Sequence, residues 1–211
     1  RLSIPVGVLG GSAYQRLIFP NAGSANDSVQ LKLATSTGLA DVSLLGGTLI
    51  SLYNNNTLVK SDTLSSLLTL RLLSGQQFTA TIAAPAAYDR VEVKLTGVLN
   101  LLNSIDIYSA RVLYAKPTVN TNTTDTVCIN SKATLSVTPA PGTSVRWYAD
   151  STSNIVLSSS NTYTTDTLRN AGKVTYYVSV VGGPNNCPNP DRIPVSVTVS
   201  AAPVAPAPAT V

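Results

Sequence analysis

Apolar and polar residues alternate along much of this chain, and alternation with period two marks a β-strand with one buried face. Residues 28–34 read S-V-Q-L-K-L-A: Val29, Leu31 and Leu33 lie on one face, Gln30 and Lys32 on the other. Residues 49–53 read as a second strand, ending in the turn cluster Asn54-Asn55-Asn56. A third strand, 78–82, stops at Ala-Ala-Pro85, 90–95 (R-V-E-V-K-L) alternates without a break, and 105–114 forms a long final strand of this half. Residues 62–73 fit two patterns, because Asp62 could cap a helical turn through Leu68 while Leu68, Leu70 and Leu72 also alternate. The pattern favours a helical turn that runs into a strand.

Past Lys116-Pro117 the apolar strands give way to P-T-V-N-T-N-T-T-D-T, a composition break that reads as a linker over 117–126. Shorter strands follow at 133–138, 144–149, 161–164, 174–181 and 193–199, and Trp147 in the middle of its strand reads as a core residue. Short strands at intervals of roughly 10–15 residues suggest an immunoglobulin-type sandwich. The expected organisation is all-β: a sandwich over 1–116, the linker, a second sandwich over 127–200, and an extended Pro/Ala tail over 201–211.

Composition explains how such a chain is solvated. Of 211 residues 44% are apolar and only 11% charged, while 24 Ser and 25 Thr supply the polar surface. The net charge of +4 is spread along the chain without a basic run, which argues against nucleic acid as a partner. No apolar stretch approaches the roughly 18–20 residues that span a bilayer, so membrane insertion is not expected. The absence of Met implies a processed form or a piece of something longer. Cys128 and Cys187 read either as two buried free thiols or, preferably, as one disulfide. That bridge would close a loop of about 60 residues, contribute roughly 4 kcal/mol in the chain-entropy picture and imply an oxidising compartment.

No catalytic apparatus is visible. Histidine is absent, the ten acidic residues are scattered, and the single Glu, Glu92, lies an odd number of positions from Asp89, so the two point to opposite faces of a strand. Asp89-Arg90 reads as a surface ion pair. Metal-ligand spacing is likewise missing; calcium on loop carbonyls is the one cofactor for which there is room, without a D-x-D-x-D-G motif to support it. One pattern stands out: five of nine Asp are followed by Ser or Thr, which singles out Ser28, Thr63, Thr126, Ser151 and Thr167. Asp-Ser and Asp-Thr are good turn and cap formers. Exposed aromatics for stacking on sugar rings would be Tyr14, Tyr53 with Asn55 beside it, and Tyr88.

The run Val127-Cys128, L-S-V-T-P (135–139), R-W-Y (146–148), N-T-Y-T-T (161–165), T-Y-Y-V (175–178), Cys187 and D-R-I-P-V-S-V-T-V (191–199) resembles the Ig-like repeat of giant surface proteins of gliding and other Bacteroidota. Unlike antibody domains, it has Val178 rather than Cys after the Tyr pair, so the bridge is not the usual inter-sheet one. The Y-D-R-V-E-V-K-L and L-N-S-I-D-I-Y-S-A-R-V segments of the first half resemble jelly-roll companions of such repeats. The resemblance implies export by the type 9 secretion system, a secreted or outer-surface location, and an adhesin or filament segment that associates with copies of itself through the chain ends, 1–9 or 201–211. It also turns the Asp-Ser/Thr triplets into O-glycosylation signals. A carbohydrate-binding first domain, with host or environmental glycans as partners, is the alternative. Three Asn-x-Ser/Thr sequons, at Asn26, Asn55 and Asn122, are a rival set of glycan acceptors if the source is eukaryotic.

Overall fold

The computed structural model describes residues 1–4, 11–35, 46–67, 71–72, 77–96, 104–120 and 126–201. The chain divides into two compact units, Arg1–Leu113 and Tyr114–Val211.

The first unit is a sandwich of two antiparallel sheets. Its strands are β1 (Leu2–Ser3), β2 (Ser12–Gly23), β3 (Ser28–Thr35), β4 (Thr48–Asn54), β5 (Thr57–Thr63), β6 (Arg71–Leu72), β7 (Gln77–Ala83), β8 (Tyr88–Thr96) and β9 (Ser104–Leu113). One sheet runs β1-β9-β3-β7-β6 and the other β2-β8-β4-β5. The alternating segments 28–34, 49–53, 78–82 and 90–95 supply their apolar faces to one core, which contains Val29, Leu31 and Leu33 from β3, Ile50 and Leu52 from β4, Phe78, Ala80 and Ile82 from β7, and Val91, Val93 and Leu95 from β8; the alternation of Leu68, Leu70 and Leu72 falls on residues whose side chains are outside the described ones. Fully burying a side chain of this kind contributes roughly 1.5–3 kcal/mol, which is what makes the register of each strand specific.

Two expectations for this unit change. The helical turn is a short 3-10 turn over Leu64–Ser66 preceded by Thr63, not Asp62, which pairs instead with Lys60 at 3.2 Å. Two strands escaped the pattern. β2 is a sheet edge whose outer face carries the apolar Ile18 and whose inner face carries the exposed, polar Gln15 beside the core-packed Ala13, Leu17 and Phe19, so it does not alternate, and β5, the other edge, is too polar to show it. Leu2–Ser3 pairs with Ile105 and Ser104 of its own sheet, and the apolar Leu2 belongs to the core; residues 5–9 of the segment expected to seek a neighbouring subunit lie outside the described residues.

The second unit has β10 (Thr118–Val119), β11 (Thr126–Cys128), β12 (Thr134–Thr138), β13 (Ser144–Tyr148), β14 (Thr162–Thr164), β15 (Gly172–Gly182), β16 (Cys187–Pro188) and β17 (Ile193–Ser200). The sheets are β10-β12-β14 and β11-β17-β15-β13, with β16 against β15. The expected linker therefore begins with a strand: Thr118 and Val119 pair with Thr138 and Val137 of β12. Residues 121–125 of that segment, and 202–211 of the expected tail, lie outside the described residues.

Trp147 is fully buried and organises the core. Its indole N–H donates to the Ser160 carbonyl at 2.8 Å, so the one polar atom of the ring is satisfied. Tyr163 stacks on it with centroids 5.9 Å apart, and Tyr176 meets Tyr163 edge-on at 5.1 Å. Val178 stands opposite Trp147 in the β13–β15 register, an aliphatic contact at the position where antibody domains place a cysteine.

Both cysteines are free and exposed, so neither the disulfide nor the pair of buried thiols is present. Topology explains this. Cys128 pairs with Ser200 at one end of β17, Gly172 pairs with Val199 next to it, and Cys187 pairs with Gly182 at the far end of β15. Ten residues of strand separate those ends, about 33 Å at the usual rise. A disulfide needs Cα atoms within about 7 Å.

Candidate functional site

The most differentiated surface is the outer face of β2-β8-β4-β5. Registers across these four strands put outward residues into three parallel rows. The first is Ile18–Arg90–Tyr53–Leu58, the second Arg16–Glu92–Ser51–Ser61, and the third Tyr14–Lys94–Leu49–Thr63. Successive rows stand about 7 Å apart, two residues along each strand.

The rows differ in chemistry. Ile18, Leu58 and Tyr14, at 68%, 53% and 58% exposure, raise large apolar groups at the ends of the first and third rows. In the middle row Glu92 and Ser51 are each only 5% exposed although the sheet face is open to solvent, so the flanking side chains cover them. Arg16 Nε donates to Glu92 Oε2 at 2.6 Å, and the Ser51 and Ser61 hydroxyls share a hydrogen bond of 2.8 Å. A buried carboxylate needs such a partner, because its desolvation is otherwise costly. The Arg16 guanidinium also lies 5.1 Å from the Tyr14 ring centroid and 5.5 Å from that of Tyr53, so one cation ties the two tyrosines to the polar row. Bonding to Glu92 holds the guanidinium pKa above its ordinary value.

At one end of this face the β4–β5 hairpin turns through Asn55, whose φ of 51° is the left-handed region that Asn tolerates better than most residues. Asp89 accepts from Arg90 Nε at 2.8 Å and Nη2 at 2.9 Å, and from the Asn55 backbone N–H. These bonds, led by that to Arg90, hold its carboxyl below the usual carboxylate range.

Of the four aromatic and amide candidates, Tyr14 and Tyr53 converge on this face and Asn55 shapes its hairpin. Tyr88 does not belong to it. Its ring is fully buried, packed edge-to-face with Phe19 at 5.8 Å and lying over Gly23, where no side chain competes for the space. Arg16 and Glu92 escaped notice as a pair. Arg16 sits on the edge strand that the pattern missed, and Glu92 could have been found as the lone Glu among the outward residues of an alternating strand.

The second unit carries a different constellation. Arg192 stacks 3.6 Å from the Tyr148 ring centroid and donates to the carbonyls of Asp150 at 2.8 Å and Ser153 at 2.6 Å. The Asp150 carboxylate accepts from the N–H of Thr152 and of Ser153 and from the Thr152 hydroxyl, bonds that lower its pKa. The loop so fixed ends in Ile155, Val156 and Leu157, exposed at 73%, 42% and 38%.

The Asp-Ser/Thr hydroxyls fall into two groups. Thr126, Ser151 and Thr167 are exposed, whereas Ser28, paired on both sides within β3, and Thr63, at the end of β5, are half-buried. Two of the preceding aspartates cap their own turns: Asp27 Oδ2 accepts the Ser24 N–H at 2.9 Å, and Asp150 is bonded as above. Among the described residues no group of three or more His, Cys, Asp or Glu could hold a metal ion, and no helix is long and apolar enough to cross a membrane.

Residues 115–201, nearly all of the described second unit, match the family profile of the Ig-like domain CHU_C associated. The chain is thus all-β and carries an Ig-like domain. No curated protein matches it. Among solved structures, a protein of Corynebacterium diphtheriae described as membrane-anchored is 10% identical, with coverage of 98% of this chain and 53% of that one and a TM-score of 0.31. The adhesin domain of Epf from Streptococcus pyogenes is 8% identical, covering 92% and 79%, with a TM-score of 0.26. Extracellular domains 3–5 of Drosophila OTK are 13% identical, covering 95% and 65%, also at 0.26. This chain spans about half of the first of these, and overlap at such scores does not constrain what it does.

Proposed function

We propose that the chain is a non-enzymatic structural and adhesive segment of a protein displayed on a bacterial surface or extracellular filament, exported by the type 9 secretion system. The observation that carries this reading is the Ig-like domain of the CHU_C-associated family over 115–201, together with the spacing of its Trp-Tyr, Tyr-Tyr-Val and Arg motifs. Arg192 and Trp147, both within those motifs, serve the fold: one clamps a loop and the other anchors the core. The unit works as a rigid spacer. O-linked glycans on Thr126, Ser151 and Thr167, which are exposed residues, would solvate a surface so poor in charge; Ser28 and Thr63 are the less accessible members of the set.

Protease shaving of intact cells of the source organism, combined with mass measurement of the released fragments, tests both parts. The expected result is release from intact cells and, for fragments that contain Thr126, Ser151 or Thr167, masses above those of their bare sequences. Recovery only after lysis would overturn the surface role. An unmodified mass would overturn the glycosylation.

A further inference from the structure

We propose that the outer face of β2-β8-β4-β5 binds one glycan chain bearing acidic sugars. The chain lies across the strands along the Arg16–Glu92–Ser51–Ser61 row and stacks on Tyr14 and Tyr53. This rests on the adhesive reading above and names the ligand class for it.

The layout of the face selects the ligand. A saccharide ring presents apolar C–H faces and hydroxyl edges, so it needs aromatic faces beside paired donors and acceptors. The three rows supply that: an exposed Arg16 guanidinium with N–H groups in addition to the one given to Glu92, the exposed Ser61, and Tyr14 and the half-buried Tyr53 on either side of the guanidinium. Glu92 and Ser51, buried at 5% exposure, hold Arg16 and Ser61 in place from below. The exposed donors therefore need little ordering on binding, which is where weak carbohydrate contacts lose most.

Charge refines the class. Glu92 balances Arg16, and Asp89 balances Arg90. No carboxylate among the described residues forms an ion pair with Lys94, which stands directly between Tyr14 and Leu49 in the third row. One uncompensated ammonium beside the stacking tyrosine matches a uronate carboxylate.

Affinity electrophoresis of the full chain in gels containing polygalacturonic acid or a neutral β-glucan tests this. Polygalacturonate should retard the protein more than the glucan. Tyr14→Ala should weaken retardation about tenfold, the upper range for one aromatic contact. Lys94→Ala should remove the preference for the acidic polymer, and Tyr108→Ala, exposed on the other sheet at 55%, should change nothing. Because Tyr14 is exposed, the variant's unfolding temperature should match the parent's, so lost binding is not lost folding. No retardation by either polymer, equal retardation by both, or wild-type retardation of Tyr14→Ala would overturn the proposal. Particles coated with the full chain that adhere to cells while ignoring both polymers would overturn it too, and would leave the adhesive role standing.

Discussion

The two units use aromatic residues in opposite ways. In the Ig-like unit Trp147, Tyr163 and Tyr176 stack on one another inside the sandwich, and Tyr148 is buried under Arg192. In the first unit the core is aliphatic apart from Phe78 and Tyr88, with Phe19 at its border, and Tyr14 and Tyr53 stand outside, joined by Arg16. A small β-domain gains stability from aromatic burial, whereas a displayed surface needs aromatics that folding leaves exposed. Under the proposed function, the second unit would support and the first would recognise.

The contrast is most severely tested by Trp147→Ala. Truncating a fully buried Trp should cost roughly 3–5 kcal/mol, and calorimetry should show the second unit's transition lowered or lost while the first unit's stays. Tyr14→Ala, by comparison, should move neither transition, since exposed substitutions usually fall within about 0.5 kcal/mol. Next in size is Gly23→Ala. A Cβ there would fall within the Tyr88 ring, so the ring must leave its place, and overpacking of that kind costs about 1–3 kcal/mol. Urea unfolding of the first unit should show it, with the second unit unaffected.

A smaller effect concerns acid. The Asp89, Asp106 and Asp150 carboxyls all have pKa values held below the ordinary one, chiefly by Arg90, by Arg1 and by the Thr152 N–H respectively. A depressed carboxylate pKa adds stability that is present above the unfolded value, near 3.9, and is lost as pH falls through the folded value. Stability should therefore decline below about pH 4, and Asp150→Asn should flatten that decline in the second unit alone. The smallest expected effect is none. Thiol titration of the native chain should count two reactive cysteines, and a reducing agent should leave both transitions where they were. A drop on reduction would restore the disulfide and undo the topology described here.

Strands with one wet and one dry face were legible from residue order, as in β3 and β8, because burial on one side imposes the alternation. The edge strands β2 and β5 were not, since an edge strand tolerates exceptions to parity: Ile18 stands outside and Gln15 inside on β2, and β5 is largely polar. Tyr88 shows how local irregularity defeats parity. Counting back from Lys94, Glu92 and Arg90 puts it outside, but β2 pairing breaks between Ile18 and Gly23, and there the ring turns into the core. The cysteines misled for a related reason. Their separation in sequence fitted a bridge, and only the pairing of β11 with β17 shows that they sit at opposite ends. The candidate surface was half-visible: its tyrosines could be named, but the Arg16–Glu92 pair arises from strands 76 positions apart.

The parallel pairing of β11 with β17 has a mechanical consequence. Thr126, Val127 and Cys128 run alongside Thr198, Val199 and Ser200 in the same direction. Tension that enters the Ig-like unit ahead of β11 and leaves after β17 pulls these two strands past each other along their length. Their hydrogen bonds are then loaded together in shear rather than opened one by one from an end. In a chain held under tension, resistance to extension would gather at this short ladder.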